Sequence, residues 1–339
     1  MPIETEAQLE DLLSQPTPSL VETLRRLPGD ILILGVSGKV GPAIAHMAKR
    51  AADAAGIPRR VIGVARFSEG DDRLLQSWGI DTIRCDLLDE AQVAALPHAD
   101  HIVYLVGRKF GSTSDSSLTW AVNTYGPALA LRRFSSSRFV LLSTGNVYPL
   151  SPCDSGGSRE SDQPNPVGEY GMSALGRERI FEYFSRLQET PVTILRLNYA
   201  CDLRYGVLVD LATQILQDRP IDLSMGYFNT IWQGDVNVMT LQSLALAAAP
   251  PTIVNLTGDE TLSVREVCES FAQHLGKTPK FTGSEATTAL LSNSARRQEL
   301  LGPTTMTTAN LIASVAAWLR QGGRLLNKPT HFEARDGKF

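Results

Sequence analysis

Ile31-Leu32-Ile33-Leu34-Gly35-Val36-Ser37-Gly38-Lys39-Val40-Gly41 is the stretch that decides the fold. Four apolar residues run directly into glycines at 35, 38 and 41, and Ala43, Ile44, Met47 and Ala48 then recur at helical spacing. A buried strand, a tight turn and a helix follow one another in this order at the start of a βαβ unit. Gly35 lets the chain turn, Gly38 omits the side chain that would obstruct a pyrophosphate, and Gly41 lets the helix lie close to the sheet. The helix start offers unpaired N–H groups and the positive end of its dipole to an anion. Gly35, Ser37, Gly38, Lys39, Val40 and Gly41 are therefore read as a dinucleotide cradle. A ligand-free β-turn-α unit would carry similar glycines, so the rest of the chain has to decide.

Outward from this turn the pattern alternates. Apolar strand candidates lie at 31–36, 60–65, 81–85, 101–106, 138–143 and 192–197, with helical stretches at 42–55, 72–78, 90–95, 116–133 and 170–188. Alternating β and α signals predict an α/β fold with a Rossmann-type, doubly wound parallel sheet, whose ligands bind at the C-terminal strand ends. Ahead of it, residues 1–28 form an extension with two short helices broken at Gln15-Pro16-Thr17-Pro18. Residues 29–199, joined by about 229–257 with a strand at 252–256, make the sheet domain. Residues 200–228 and 258–325, with helical stretches at 204–218, 263–275 and 308–320, make a smaller, partly interleaved substrate domain. The polar segment 326–339 is a tail, either disordered or a subunit contact.

The chain has 339 residues and 43% hydrophobic content, enough for a full core. A net charge of −4 argues against nucleic-acid or anionic-membrane surfaces. No apolar run approaches a membrane span, and the acidic N-terminus lacks a signal-peptide core. Cys85, Cys153, Cys201 and Cys268 are far apart and read as buried thiols of a reducing, cytoplasmic setting. The five histidines form no metal-ligand pattern.

Several segments now stand in one order: the glycine turn, Cys85-Asp86-Leu87, Asn123, Leu142-Ser143-Thr144-Gly145-Asn146-Val147-Tyr148 and Tyr170-Gly171-Met172-Ser173. Over roughly residues 29–320 this resembles the extended short-chain dehydrogenase/reductase family, in its NAD-dependent epimerase/dehydratase group. The resemblance implies an NAD(P) cofactor. Asp86 and Leu87 would flank the adenine, Val106 and Gly107 would lie against the ribose or nicotinamide side, and Ser143 and Asn123 join the cofactor set, with a structural role also expected of Asn123. The acid that usually ends the second strand is Ala65, and Arg66 follows it. A carboxylate repels a 2′-phosphate whereas an arginine pairs with it, so NADP is favoured over NAD.

The resemblance also implies the chemistry. Tyr170 would exchange a proton with a substrate hydroxyl or carbonyl, Thr144 would orient that oxygen, and the nicotinamide would carry the hydride. The family pattern is Tyr-x-x-x-Lys, however, and Ala174 stands where the lysine belongs. At about 5 Å and an effective dielectric of about 20, such a charge favours the phenolate by roughly 3 kcal/mol, on the order of a hundredfold. Lys109 is the favoured substitute, because Arg177 lies about 10 Å along the helix from Tyr170. Sugar-nucleotide members carry an arginine seven residues before the match to Asp235; here it is Phe228, which argues against a nucleotide-diphosphate sugar. Phe228 and Trp232, with Asn198 and Tyr199 after the sixth strand, are the substrate candidates.

Three functions compete. The leading one is an NAD(P)-dependent oxidoreductase or epimerase acting on a hydroxyl or carbonyl of a sugar-like or other small polar substrate. A catalytically silent NAD(P)-binding sensor or scaffold would account for Ala174. A dehydratase or lyase is disfavoured because Gly145-Asn146 replaces the Asp-Glu pair of the family's dehydratases. Relatives pair through two helices that correspond to about 116–133 and 170–188, so a homodimer is expected.

Overall fold

In the computed structural model, which describes residues 3–68 and 72–338, a seven-stranded parallel sheet forms the frame. Its strands are β1 (Ile31–Leu34), β2 (Val61–Ala65), β3 (Asp81–Arg84), β4 (His101–Tyr104), β5 (Arg138–Thr144), β6 (Val192–Leu197) and β7 (Thr252–Leu256). Their order across the sheet is β7-β6-β5-β4-β1-β2-β3. The reversal between β1 and β4 creates the crevice in which such sheets bind ligands. Register runs from Ile31 to Val61 on one side of β1 and from Ile31 to His101 on the other.

β1 shows why the sheet carries helices on both faces. Ile31 and Ile33 pack into the cluster that holds Ile44, Met47 and Ala48 of α3 (Gly41–Ala55), while Leu32 and Leu34 pack with Phe134 and Phe181 on the opposite face. Apolar residues at every position of a short strand are the signature of a sheet buried on both sides. The predicted strands at 81–85 and 101–106 end one and two residues earlier than the apolar runs, at Arg84 and Tyr104.

The predicted helix at 116–133 is not continuous. Ser116–Trp120 and Gly126–Arg133 flank a π turn at Ala121–Tyr125, in which the Gly126 N–H reaches back to the Ala121 carbonyl. Pro127 has no N–H to give the Asn123 carbonyl, and the wider turn accommodates that break. The long helix Gly168–Gln188 packs beside these pieces.

A second hydrophobic cluster gathers the helices Val207–Leu216, Val264–Leu275 and Thr308–Arg320. The helix Gln233–Gln242 between them returns to the sheet, with Val236, Met239 and Leu241 in its cluster. The two N-terminal helices, α1 (Glu6–Leu13, capped by Thr5) and α2 (Pro18–Arg26, capped by Thr17), divide their allegiance. Leu9 and Leu13 enter the second cluster, whereas Leu20 and Leu24 enter the sheet's. Met1, Pro2 and Phe339 lie outside the described residues.

The tail differs from the disordered segment that was one of the expectations held for it. Phe332 is buried in the second cluster 5.9 Å from the Phe228 ring, and Arg335 donates to the carbonyl and hydroxyl of Thr288, each at 2.7 Å. Thr330 donates from its N–H and hydroxyl to Asp210 Oδ2 at 2.8 and 2.6 Å. Polar composition suggested a solvated segment; these side chains instead spend their polarity on the chain's own body. Among the described residues no helix is long and apolar enough to cross a membrane. Cys85, Cys201 and Cys268 are buried free thiols; Cys153 is only half-buried, unlike the expectation.

Candidate active site

The glycine turn has the geometry its sequence implies. Gly35 sits at φ +88°, and a Cβ there would lie 2.7 Å from Val106 Cγ2. A Cβ on Gly41 would lie 2.2 Å from the Val36 carbonyl oxygen, so the α3 backbone rests directly on the turn. Around Gly38 the one near atom is the Gly35 carbonyl oxygen, at 3.3 Å. The N-cap of α3, Val40, has no side chain able to cap, and the first-turn N–H groups stay available to an anion. These features fit a dinucleotide pyrophosphate.

Two cavities open from this turn and share Gly35, Gly38, Leu105 and Gly107, so they form one groove. The first, about 270 Å3, brings together Arg66, Asp86 and Leu87, the predicted adenosine-side residues, with Ser37 of the glycine turn and with Val106, which was expected on the ribose or nicotinamide side. Asp86 Oδ1 accepts the Leu88 N–H at 3.0 Å, while Asp89 caps the next helix by accepting the Gln92 N–H at 3.0 Å. Asp86 is therefore not the capping acid.

The second cavity, about 360 Å3, holds both proposed reaction residues, Thr144 and Tyr170, with Lys39, Val40 and Gly41. Thr144 ends β5, and its hydroxyl oxygen accepts from the Asn146 N–H and side-chain amide at 3.2 and 3.1 Å, which leaves its proton to donate. Tyr170 lies in the first turn of the helix Gly168–Gln188. Ala174 is buried against Val147 and Tyr148, an apolar setting.

Three cations border the same cavity. Lys109 Nζ lies 5.9 Å from the Tyr170 ring centroid and donates to the Thr330 carbonyl at 3.0 Å. Burial pulls its pKa down to about 8, against the opposing charges of Glu333 and Asp210. Lys39 Nζ stands 3.5 Å from the Tyr205 ring centroid and 4.6 Å from that of Phe110. Burial first, then repulsion by Lys109 and Lys328, brings its pKa down to about 7. Arg177 is buried, donates from Nη1 to the Val106 carbonyl at 2.6 Å and has no partner for Nε. Its side chain leans toward the helix N-terminus, as helical side chains do, and lines the groove.

Other expected site residues are occupied elsewhere. Asn123 is fully buried; its Oδ1 accepts the Arg108 N–H at 2.9 Å and its Nδ2 donates to Ser173 Oγ at 2.8 Å, so it holds the loop after β4, the structural role also expected of it. Ser143 lines the groove, yet its hydroxyl donates to Glu178 at 2.6 Å. Phe228 and Trp232 belong to the second cluster's core and do not line the cavity of Tyr170, which corrects their assignment to substrate. Aromatic side chains serve a core and a ring-binding site equally well, so composition alone did not separate the two. Asn198 and Tyr199 do line it. Phe110 and Tyr205 were missed because neither stands in a motif.

A buried polar network supports this floor. Arg196 on β6 forms an ion pair with Glu178 at 2.7 Å, both side chains being almost entirely excluded from solvent. Arg196 Nη1 also donates to the Tyr148 hydroxyl at 2.7 Å, which donates to Asn255 Oδ1 at 2.9 Å. Burial pushes the Tyr148 phenol up to about 12.

Residues 31–201, just over half of the chain, match the family model described as "NAD dependent epimerase/dehydratase family". No curated protein matches by sequence. Solved structures do match in fold. UDP-glucuronic acid 4-epimerase from Bacillus cereus, in complex with UDP-glucuronic acid and NAD, is 18% identical with a TM-score of 0.70, over 86% of this chain and 99% of that one. UDP-glucose 4-epimerase from Thermotoga maritima is 17% identical with a TM-score of 0.67, over 86% and 99%. The dTDP-glucose 4,6-dehydratase of Streptomyces venezuelae, with NAD bound, is 20% identical with a TM-score of 0.71, over 86% and 97%.

Proposed function

The chain belongs to the NAD dependent epimerase/dehydratase family, and from that premise we propose that it interconverts a hydroxyl and a carbonyl on a sugar-like or other small polar substrate, as an oxidoreductase or as one half-reaction of an epimerisation. The carrying observation is that Thr144 and Tyr170 open into the cavity that begins at the glycine turn. The bound nicotinamide supplies the hydride acceptor or donor. Tyr170 holds or moves the proton at the reacting oxygen, and Thr144 donates a hydrogen bond to it. Denaturing freshly purified protein and identifying the released nucleotide by mass spectrometry tests the reading. NAD(H) or NADP(H) supports it; a protein that retains neither, and binds neither on titration, sinks it.

Lys109 is the basic group we assign to support Tyr170 in place of the missing lysine. With its ammonium titrating near pH 8, turnover is expected to fall as pH rises through that value, because deprotonation removes the positive charge. Lys109→Ala should lower kcat roughly tenfold or more and abolish that limb of the profile. Full turnover in the variant refutes the role.

Arg66 borders the adenosine cavity, and we assign it a preference for the 2′-phosphate of NADP. Arg66→Asp should reverse that preference by roughly tenfold to a hundredfold, read as the ratio of NADPH to NADH dissociation constants. An unchanged ratio removes the assignment. The absence of an arginine at Phe228, now seen under Phe332, supports a substrate that is not a nucleotide-diphosphate sugar.

Trp120 and Tyr125, at the end of one short helix and in the π turn that follows it, and Met172, Tyr183 and Leu187 on the neighbouring helix, are exposed large apolar side chains. Gly176 brings the two helices together, with Trp120 and Thr124 against it. We assign this face to a homodimer, because apolar patches of this kind mark interfaces. Light scattering should give twice the chain mass, and Tyr183→Glu should halve it; a monomeric parent protein overturns the assignment.

A further inference from the structure

The cavity of Thr144 and Tyr170 is also a cationic chamber. Lys39 and Lys109 both line it. Lys39 makes no hydrogen bond or ion pair among the described residues; the rings of Tyr205 and Phe110 hold its ammonium in place. Lys328 adds to the repulsion on Lys39. Two carboxylates act on the lysines, and Arg177 adds a further cation to the lining. Asp210 is engaged by two hydrogen bonds from Thr330, and Glu333 faces Lys109 and Tyr199. Gathering ammonium groups in a partly desolvated pocket is unfavourable unless something anionic bridges them, and charge-assisted hydrogen bonds to a carboxylate or phosphate do so.

The tail stands against one wall of the chamber, whose volume of about 360 Å3 limits the size of that anion's carrier. It is tied to Lys109 through the Thr330 carbonyl at 3.0 Å, and His331 lies 6.1 Å from Phe110. Phe332 covers Phe228, and Gly337 sits so close to Gly168 that a Cβ on the latter would lie 2.4 Å from the Gly337 carbonyl oxygen. The segment thus runs from one wall of the chamber to the helix start that carries Tyr170.

We infer that the substrate is a compact molecule carrying a carboxylate or phosphate, received by Lys39 and Lys109 beside Thr144 and Tyr170 under the tail. The inference rests on the reading of Thr144 and Tyr170 as the reaction centre. Calorimetric titration of the full chain, saturated with NADH or NADPH, whichever it takes, tests it with four probes: inorganic phosphate, glucuronate, glucose as the neutral ring, and UDP-glucose as the extended carrier. Phosphate, glucuronate or both should bind, competing if both do, and glucose and UDP-glucose should not. Which of the two anions binds tells a phosphate receptor from a carboxylate receptor. Lys39→Met should weaken that binding about tenfold or more, and Lys39→Arg should restore most of it.

Four outcomes overturn the inference: neither anion binds, glucose matches glucuronate, UDP-glucose binds as well as the compact acid, or Lys39→Met leaves anion affinity unchanged. Phosphate binding that disappears when the dinucleotide is added would assign the lysines to the dinucleotide and also overturn it. The NADH and NADPH titrations that precede each run separate the two levels. A protein that takes neither NADH nor NADPH fails the functional reading, whereas one that takes either and, so loaded, ignores the acids fails only this inference.

Discussion

Tyr170→Phe lowers turnover by about 10²–10⁴ and leaves NAD(H) affinity unchanged. The range is that of a positioned proton donor or acceptor, and it applies because only the phenolic oxygen is removed. The ring stays, so its contact with the Lys109 ammonium, 5.9 Å from the centroid, stays as well. Thr144 retains its hydrogen bonds from Asn146 and still orients the substrate oxygen. Loss of kcat without loss of cofactor binding therefore isolates proton transfer. Measuring NADH binding by fluorescence beside the turnover assay checks both halves. A variant with parental kcat removes Tyr170 from the chemistry, and a parental protein with no turnover to lose supports the silent sensor.

Arg196→Met has the largest expected effect on stability, a loss of about 3–5 kcal/mol. The reason is what the substitution leaves behind. Glu178 is fully buried, and Arg196 gives it bonds from Nε and Nη2, the latter at 2.7 Å. Without the guanidinium, the Ser143 hydroxyl is the remaining side-chain donor to that carboxylate, at 2.6 Å. Removing both charges with Glu178→Gln and Arg196→Met together should cost less than the sum of the single changes, because no uncompensated charge stays inside. Urea denaturation of the parent, the two single variants and the double variant reads the coupling. A single variant that loses under about 1 kcal/mol would show that water or a shifted side chain replaces the arginine.

The start of the sheet was legible because β1 is a short run of apolar residues closed by Gly35. Ile31 to Leu34 has the same meaning in isolation as in the fold, since both faces of β1 are covered. The cofactor half was legible for a related reason: glycine is required where φ is +88° or where a Cβ would meet a carbonyl, and few other demands produce that spacing. The substrate half was not. Phe228 and Trp232 went to the core because an aromatic ring at a domain junction satisfies packing before recognition. The sequence left Asn123 between a cofactor role and a structural one, and the π turn directs it to the backbone of Arg108. The tail's polar residues gave no sign of docking, since Thr330 and Arg335 find partners more than a hundred and about fifty residues away in sequence, at Asp210 and Thr288.

The leucines of the N-terminal helices have a mechanical consequence. Leu9 and Leu13 are seated in one body, Leu20 and Leu24 in the other, with only a short Pro-containing link between them. Swinging the two bodies apart about a hinge would have to pull at least one pair out of its core, at about 1.5–3 kcal/mol for each leucine. The brace keeps the aperture between the halves nearly constant.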